Sequence, residues 1–129
     1  MKRTEIINYL AKKINAKTYL EIGVRDHTQN FDKIDIEYKV GVDPDTEKSC
    51  DRDPTYKITS DQFFSSNNET FDLIFIDGLH EAGQVERDIL NSLDFLNEGG
   101  FIVCHDMNPI IYERQLLLKD PKRHEYSLR

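Results

Sequence analysis

Two cysteines, Cys50 and Cys104, are all that 129 residues contain. They show no paired spacing and no histidines at zinc-finger distances, which excludes a disulfide framework and a zinc finger. Both read as free thiols, Cys104 as part of a core. No stretch approaches about 18 consecutive apolar residues, the length that spans a bilayer, and MKRTEIINYLAKKINAK has no uninterrupted apolar segment of leader length. No membrane contact and a cytoplasmic location are the expectations. Basic residues are scarce through the middle: residues 18–118 hold 8 Lys+Arg against 21 Asp+Glu, a charge of −13. Such a body repels phosphate backbones, so a nucleic-acid partner is not expected unless the basic ends grip it. It suits a cationic ligand or a metal ion, although scattered carboxylates also simply keep a protein soluble. At this length the chain is expected to form a single domain, 1–129, whose active site must be built on one sheet.

What is present is a regular alternation of helical and strand patterns. Ile6, Ile7, Leu10 and Ile14 recur at helical spacing. TYLEIG (18–23) and YKVGVD (38–43) read as strands, with a short helix between Thr28 and Ile34 and Pro44 ending the second strand. A polar loop, 44–55, leads to a brief strand YKI (56–58) and to SDQFFSS, a helix with Ser60 or Asp61 as its cap. FDLIFID (71–77) and GFIVCHD (100–106) are apolar on both faces, as strands covered by helices on each side are. Between them Ala82, Val85, Ile89, Leu93 and Leu96 form a helical stripe that Gly99-Gly100 is expected to stop, and IIYERQLLLK (110–119) reads as a last helix. This order predicts an open α/β sheet with right-handed crossovers, whose ligands sit outside the carboxyl ends of the strands.

Those ends carry acids and glycines: Glu21 and Gly23, Asp43, Asp61, Asp77 and Gly78, and His105 with Asp106. A carboxylate closing an apolar strand is costly to bury unless it accepts hydrogen bonds from a helix N-terminus or a ligand. Capping the next helix accounts for any one of them; five together point to a site. Asp43 follows Gly23 by 20 residues, the interval at which a nucleoside-binding βαβ unit sets a glycine turn and then an acid for the ribose hydroxyls. EIGVRDH supplies one glycine where a dinucleotide turn wants three, which disfavours NAD and an oxidoreductase. A nucleoside without phosphates needs less.

LEIGV (20–24), GVDPD (41–45), FDLIFIDGLHEAGQVERDI (71–89) and LNEGGFIVCHDMNP (96–109) resemble the successive motifs of class I S-adenosylmethionine-dependent methyltransferases. They are most similar to the sugar and macrolide O-methyltransferase branch, whose fourth strand ends in Asp-Gly-x-His. The resemblance implies a three-layer Rossmann-like sandwich with a mainly parallel sheet of order 3-2-1-4-5. It also implies that Glu21 and Gly23 lie against the methionine portion of S-adenosylmethionine, that Asp43 binds the ribose, that Ser60 or Asp61 sits near the adenine, and that Asp77 stands where the methyl group is handed over. In metal-using relatives the matching set would be Asp77, His105 and Asp106 around magnesium, with His80 as base and Asp77 and Asp106 beside it in catalysis. Transfer to a hydroxyl needs a deprotonated, aligned oxygen, which a histidine or a divalent ion provides.

The chain departs from that pattern in three places. Arg25 and His27 follow the first strand where many relatives have small residues, and Arg25 is positioned to crowd or repel the cofactor. His105 replaces an acid, and imidazole is a poorer ligand for magnesium than for zinc or manganese. LLLKDPKRHEYSLR does not read as the sixth and seventh strands that relatives carry. The edge of GFIVCHD is therefore expected to pair with a second copy, to be covered by a helix bearing Tyr112 and Leu116 to Leu118, or to belong to a shortened or degenerate domain. The expected activity is O-methylation of a small hydroxyl-bearing molecule such as a sugar. The alternative is a module of the same fold that binds the cofactor or a related nucleoside without turnover.

Overall fold

A computed structural model describes residues 2–45, 52–77 and 82–105. Helix α1 (Arg3–Ile14) precedes strand β1 (Thr18–Ile22), a 3-10 turn at Phe31–Lys33 and strand β2 (Tyr38–Val42). Helix α2 (Ser60–Ser66), strand β3 (Phe71–Ile76), helix α3 (Ala82–Asp94) and strand β4 (Leu96–Cys104) follow. The four strands form a parallel sheet of order β2-β1-β3-β4. Outside β2, Tyr56 makes an isolated parallel bridge with Val42, held by Tyr56 N–H to the Gly41 carbonyl and Asp43 N–H to the Tyr56 carbonyl. The expected order 3-2-1-4-5 is therefore present, with its third strand reduced to that one bridge. Among the described residues no helix is long and apolar enough to cross a membrane.

Side chains alternate across each strand, and the two faces bury separate cores. Leu20, Ile22, Val40, Val42, Ile74, Ile76 and Ile102 pack with Phe63 and Phe64 of α2 and Ile89 of α3. On the other face Tyr19, Leu73, Phe75 and Val103 pack with Ile7 and Ala11 of α1 and with Phe31, Ile34 and Ile36. Helices on both faces make the three layers. The alternation also decides where polar strand residues go: Glu21, two residues after Tyr19, must point toward the α1 side.

Several local expectations need correction. The α2 cap is Thr59, whose hydroxyl accepts the Gln62 N–H while the Gln62 side chain accepts the Thr59 N–H. This reciprocal box contributes about 1 kcal/mol, and it leaves Ser60 and Asp61 inside the helix. The stripe from Ala82 ends at Asp94, and Leu96 already belongs to β4, so Gly99-Gly100 do not stop α3. They lie at a register shift in the β3–β4 ladder, where a Cβ on Gly100 would meet the Asp72 carbonyl at 2.4 Å and Gly99 has φ +82. Between Thr28 and Ile34 only the 3-10 turn forms.

Gly41 of β2 is required by a close approach. A Cβ there would meet Val24 Cγ2 at 2.7 Å and Phe31 Cε1 at 3.2 Å, so the missing side chain admits the segment that follows β1. β4 has one sheet neighbour, β3, among the described residues. The 110–119 helix expected to cover its outer edge lies outside the described residues.

Candidate functional site

The carboxyl ends of β2, β1 and β3 lie side by side, which brings Asp43, Glu21 with Gly23, and Asp77 to one edge of the sheet. Two strand spacings, roughly 10 Å, separate the outer pair. Ladder bonds continue past the strands: Gly23 N–H to the Val42 carbonyl, Asp77 N–H to the Ile22 carbonyl and His105 N–H to the Ile76 carbonyl. The backbone turns at Gly23 with φ +90, a conformation that strains any residue with a Cβ, and Arg25 is left-handed at φ +55. That glycine leaves the turn free of a side chain.

Asp43 is buried, with 6% of its surface exposed, and ties two loops together. Its Oδ2 accepts the Arg25 N–H at 2.9 Å and its Oδ1 accepts the Asp45 N–H at 2.8 Å. Each carboxylate oxygen has a second lone pair, so the group retains acceptor capacity. The same bond fixes Arg25 by its backbone, while its side chain is exposed. His27 is buried and meets the Phe31 ring edge-on at 5.5 Å. Burial holds its imidazole below the ordinary histidine range.

Glu21 is 2% exposed and faces α1. Its Oε1 accepts the Tyr19 hydroxyl at 2.5 Å and Asn30 Nδ2 at 2.8 Å, and Thr4 Oγ1 donates to Asn30 Oδ1 at 2.6 Å. Burial pushes the carboxyl up to about 7, against the lowering by those two hydrogen bonds and by the Arg3 charge. The same desolvation, and then the neighbouring Glu21 charge, push the Tyr19 phenol well up. Asp77 accepts Arg3 Nη1 at 2.8 Å, in a pair whose side chains are 27% and 16% exposed. The first turn of α1 therefore reaches both acids, Arg3 directly and Thr4 through Asn30.

Ser60 and Asp61 are drawn toward α3. Ser60 Oγ donates to Asp88 Oδ1 at 2.6 Å, and Gln84 Nε2 donates to Ser60 Oγ, Asp61 Oδ1 and Asp88 Oδ1 at 3.1, 3.2 and 3.0 Å. Asp88 is buried, and burial raises its carboxyl. Cys104, a free thiol, is pushed up to about 12 by burial and then by Asp88, which leaves it unreactive near neutrality. His105 packs its ring 6.3 Å from Phe75. Gly78, His80 and Asp106 lie outside the described residues.

Among the described residues no group of three His, Cys, Asp or Glu is arranged to hold a metal ion. Of the expected magnesium set of Asp77, His105 and Asp106, the last lies outside the described residues. The acids and the glycine turn do fit a cationic nucleoside, whose hydroxyls and positive charge call for acceptors.

Arg3, Thr4, Tyr19, Asn30, Gln84 and Asp88 were not legible as site residues. A signal existed for two of them. Arg3 places positive charge at the positive end of a helix, and Tyr19 shares a strand face with Glu21. Thr4, Asn30, Gln84 and Asp88 carry none.

A parallel sheet with helices on both faces and acids at adjacent strand tips defines a nucleotide-type α/β domain. Within that class the chain belongs to a methyltransferase-domain family: the model described as "Methyltransferase domain" matches residues 25–107, well over half of the chain. No curated protein matches it. Methyltransferase domains of this kind generally use S-adenosylmethionine.

Proposed function

We propose that this protein binds S-adenosylmethionine across the tips of β2, β1 and β3 and transfers its methyl group to a hydroxyl of a small molecule such as a sugar. The observation that carries the reading is the row of Asp43, Glu21 and Asp77 on three adjacent strand ends beside the Gly23 turn. The cofactor would bring a ribose, a sulfonium and an amino-acid group to that row. Asp43 would accept from the ribose hydroxyls, and Gly23 would let the methionine portion approach the backbone. In the transfer, the acceptor oxygen forms a bond to the methyl carbon as the carbon–sulfur bond breaks. S-adenosylhomocysteine leaves, and the hydroxyl proton passes to a base. The motif Asp77-Gly78-Leu79-His80 supports His80 as that base.

Binding without turnover is the second reading. The Arg3–Asp77 pair favours it, because a carboxylate already neutralised has less to offer the transferring methyl. Calorimetry with S-adenosylmethionine, S-adenosylhomocysteine and NAD, followed by turnover with hydroxyl acceptors, tests both. The proposal expects the two adenosyl compounds to bind and NAD not to. Asp43→Ala should weaken both by about tenfold or more, consistent with charged hydrogen bonds of roughly 1.5–3 kcal/mol. His80→Ala should spare binding and abolish transfer. Tight NAD binding, or unchanged affinity in Asp43→Ala, contradicts the site. Full turnover in His80→Ala removes the histidine from the mechanism.

A further inference from the structure

Arg3 stands where helix physics gives it no reason to be. It is the first residue of α1, next to Lys2, and no side chain caps that end. A cation at a helix N-terminus opposes the macrodipole, whereas Lys12 and Lys13 in the last turn accord with it. What Arg3 does meet is Asp77: among the described residues this carboxylate is its one hydrogen-bond partner, at 2.8 Å. One N–H of five is engaged there, and the side chain is 27% exposed, so the guanidinium has both donors and solvent access to spare. Its charge also reaches Glu21 and Tyr19, where it opposes in part the upward push that burial gives both groups.

The chemistry of this cluster is specific. The ends of β1 and β3 supply negative charge, and from α1 the basic side chain of Arg3 hydrogen-bonds to Asp77 there. A half-buried Arg–Asp pair presents a fixed plus and minus side by side. A free α-amino-acid group presents the reverse, an ammonium and a carboxylate on one carbon. Resting on the reading of the site given above, we propose that Arg3 is a cofactor-binding residue that takes the α-carboxylate of the methionine portion, while Asp77 takes the ammonium. Guanidinium and carboxylate match in planar geometry, so Arg3 can hold Asp77 with one edge and the ligand with another. The first turn of α1 thereby becomes a wall of the site. Thr4, through Asn30 and Glu21, holds that turn against β1.

The test varies the ligand as well as the protein. S-adenosylhomocysteine carries the whole amino-acid group, its decarboxylated analogue keeps only the ammonium, and 5′-methylthioadenosine has neither. Calorimetry on the wild-type protein should show at least a tenfold loss of affinity when the carboxylate alone is removed. Arg3→Met should bind S-adenosylhomocysteine at least tenfold more weakly, yet hold 5′-methylthioadenosine within twofold of wild type. Arg3→Lys should recover part of the loss. Equal affinity of the wild-type protein for S-adenosylhomocysteine and its decarboxylated analogue overturns the assignment, with no variant needed. So does an Arg3→Met protein that weakens all three ligands alike, since that pattern marks a structural role. If the wild-type protein binds none of the three, the cofactor reading itself fails and this inference falls with it.

Discussion

Glu21 is the residue whose surroundings matter most. A carboxyl held at about 7 in the fold, against 4.5 as its ordinary value, binds its proton more tightly folded than unfolded. The sign follows: between those two values the folded chain holds more protons, so stability is greatest below about 4.5 and falls as pH rises toward 7. The loss is on the order of 3 kcal/mol for a group this buried. Glu21→Gln keeps an Oε1 acceptor for both Tyr19 and Asn30 while removing the titration. Denaturant unfolding at pH 5 and pH 8 should show wild type losing stability between them through this group, and the variant losing markedly less. An identical pH dependence in both proteins would mean that Glu21 is already charged in the fold. The position of Glu21 was legible from its strand-end place, but its burial was not. That depends on Tyr19, Asn30 and Thr4 converging from three elements, which no local pattern encodes.

At the scale of elements, the long strands were legible because apolar runs on both faces can be satisfied only between helices, as Phe71–Ile76 is. Boundaries that depend on approach between elements were not. Gly99-Gly100 looked like a helix stop and is a place where β4 comes against the Asp72 carbonyl. Asp72 itself serves the far edge of the sheet. Burial would raise its carboxyl, but the Lys17 N–H and Asn97 bonds outweigh it and hold it below the usual range. Gly41 tests how β2 and the segment after β1 fit. Val24 is β-branched and buried, so it cannot easily yield 2.7 Å to a new methyl. Gly41→Ala should cost about 1–3 kcal/mol. The denaturation midpoint should drop with an unchanged slope, and S-adenosylhomocysteine should bind more weakly because Val24 adjoins Gly23. An unchanged midpoint would mean the segment has room to move.

For the molecule as a whole, the acidic charge and the strand-end acids were readable in the sequence because both are properties of residue order. The arrangement that joins them to α1 was not, since Arg3 and Asp77 are 74 positions apart. The same geometry sets two edges of one sheet against each other. One carries Gly23, Arg25, Asp43 and Asp77; the other carries Lys17, Asp72 and Asn97, closed by their own hydrogen bonds. Titration of S-adenosylhomocysteine into isotope-labelled protein, followed by amide chemical shifts, distinguishes them most directly. The account predicts saturable shifts concentrated at Gly23, Arg25, Asp43 and Asp77. Shifts gathered around Lys17, Asp72 and Asn97, or none at saturating ligand, would contradict it.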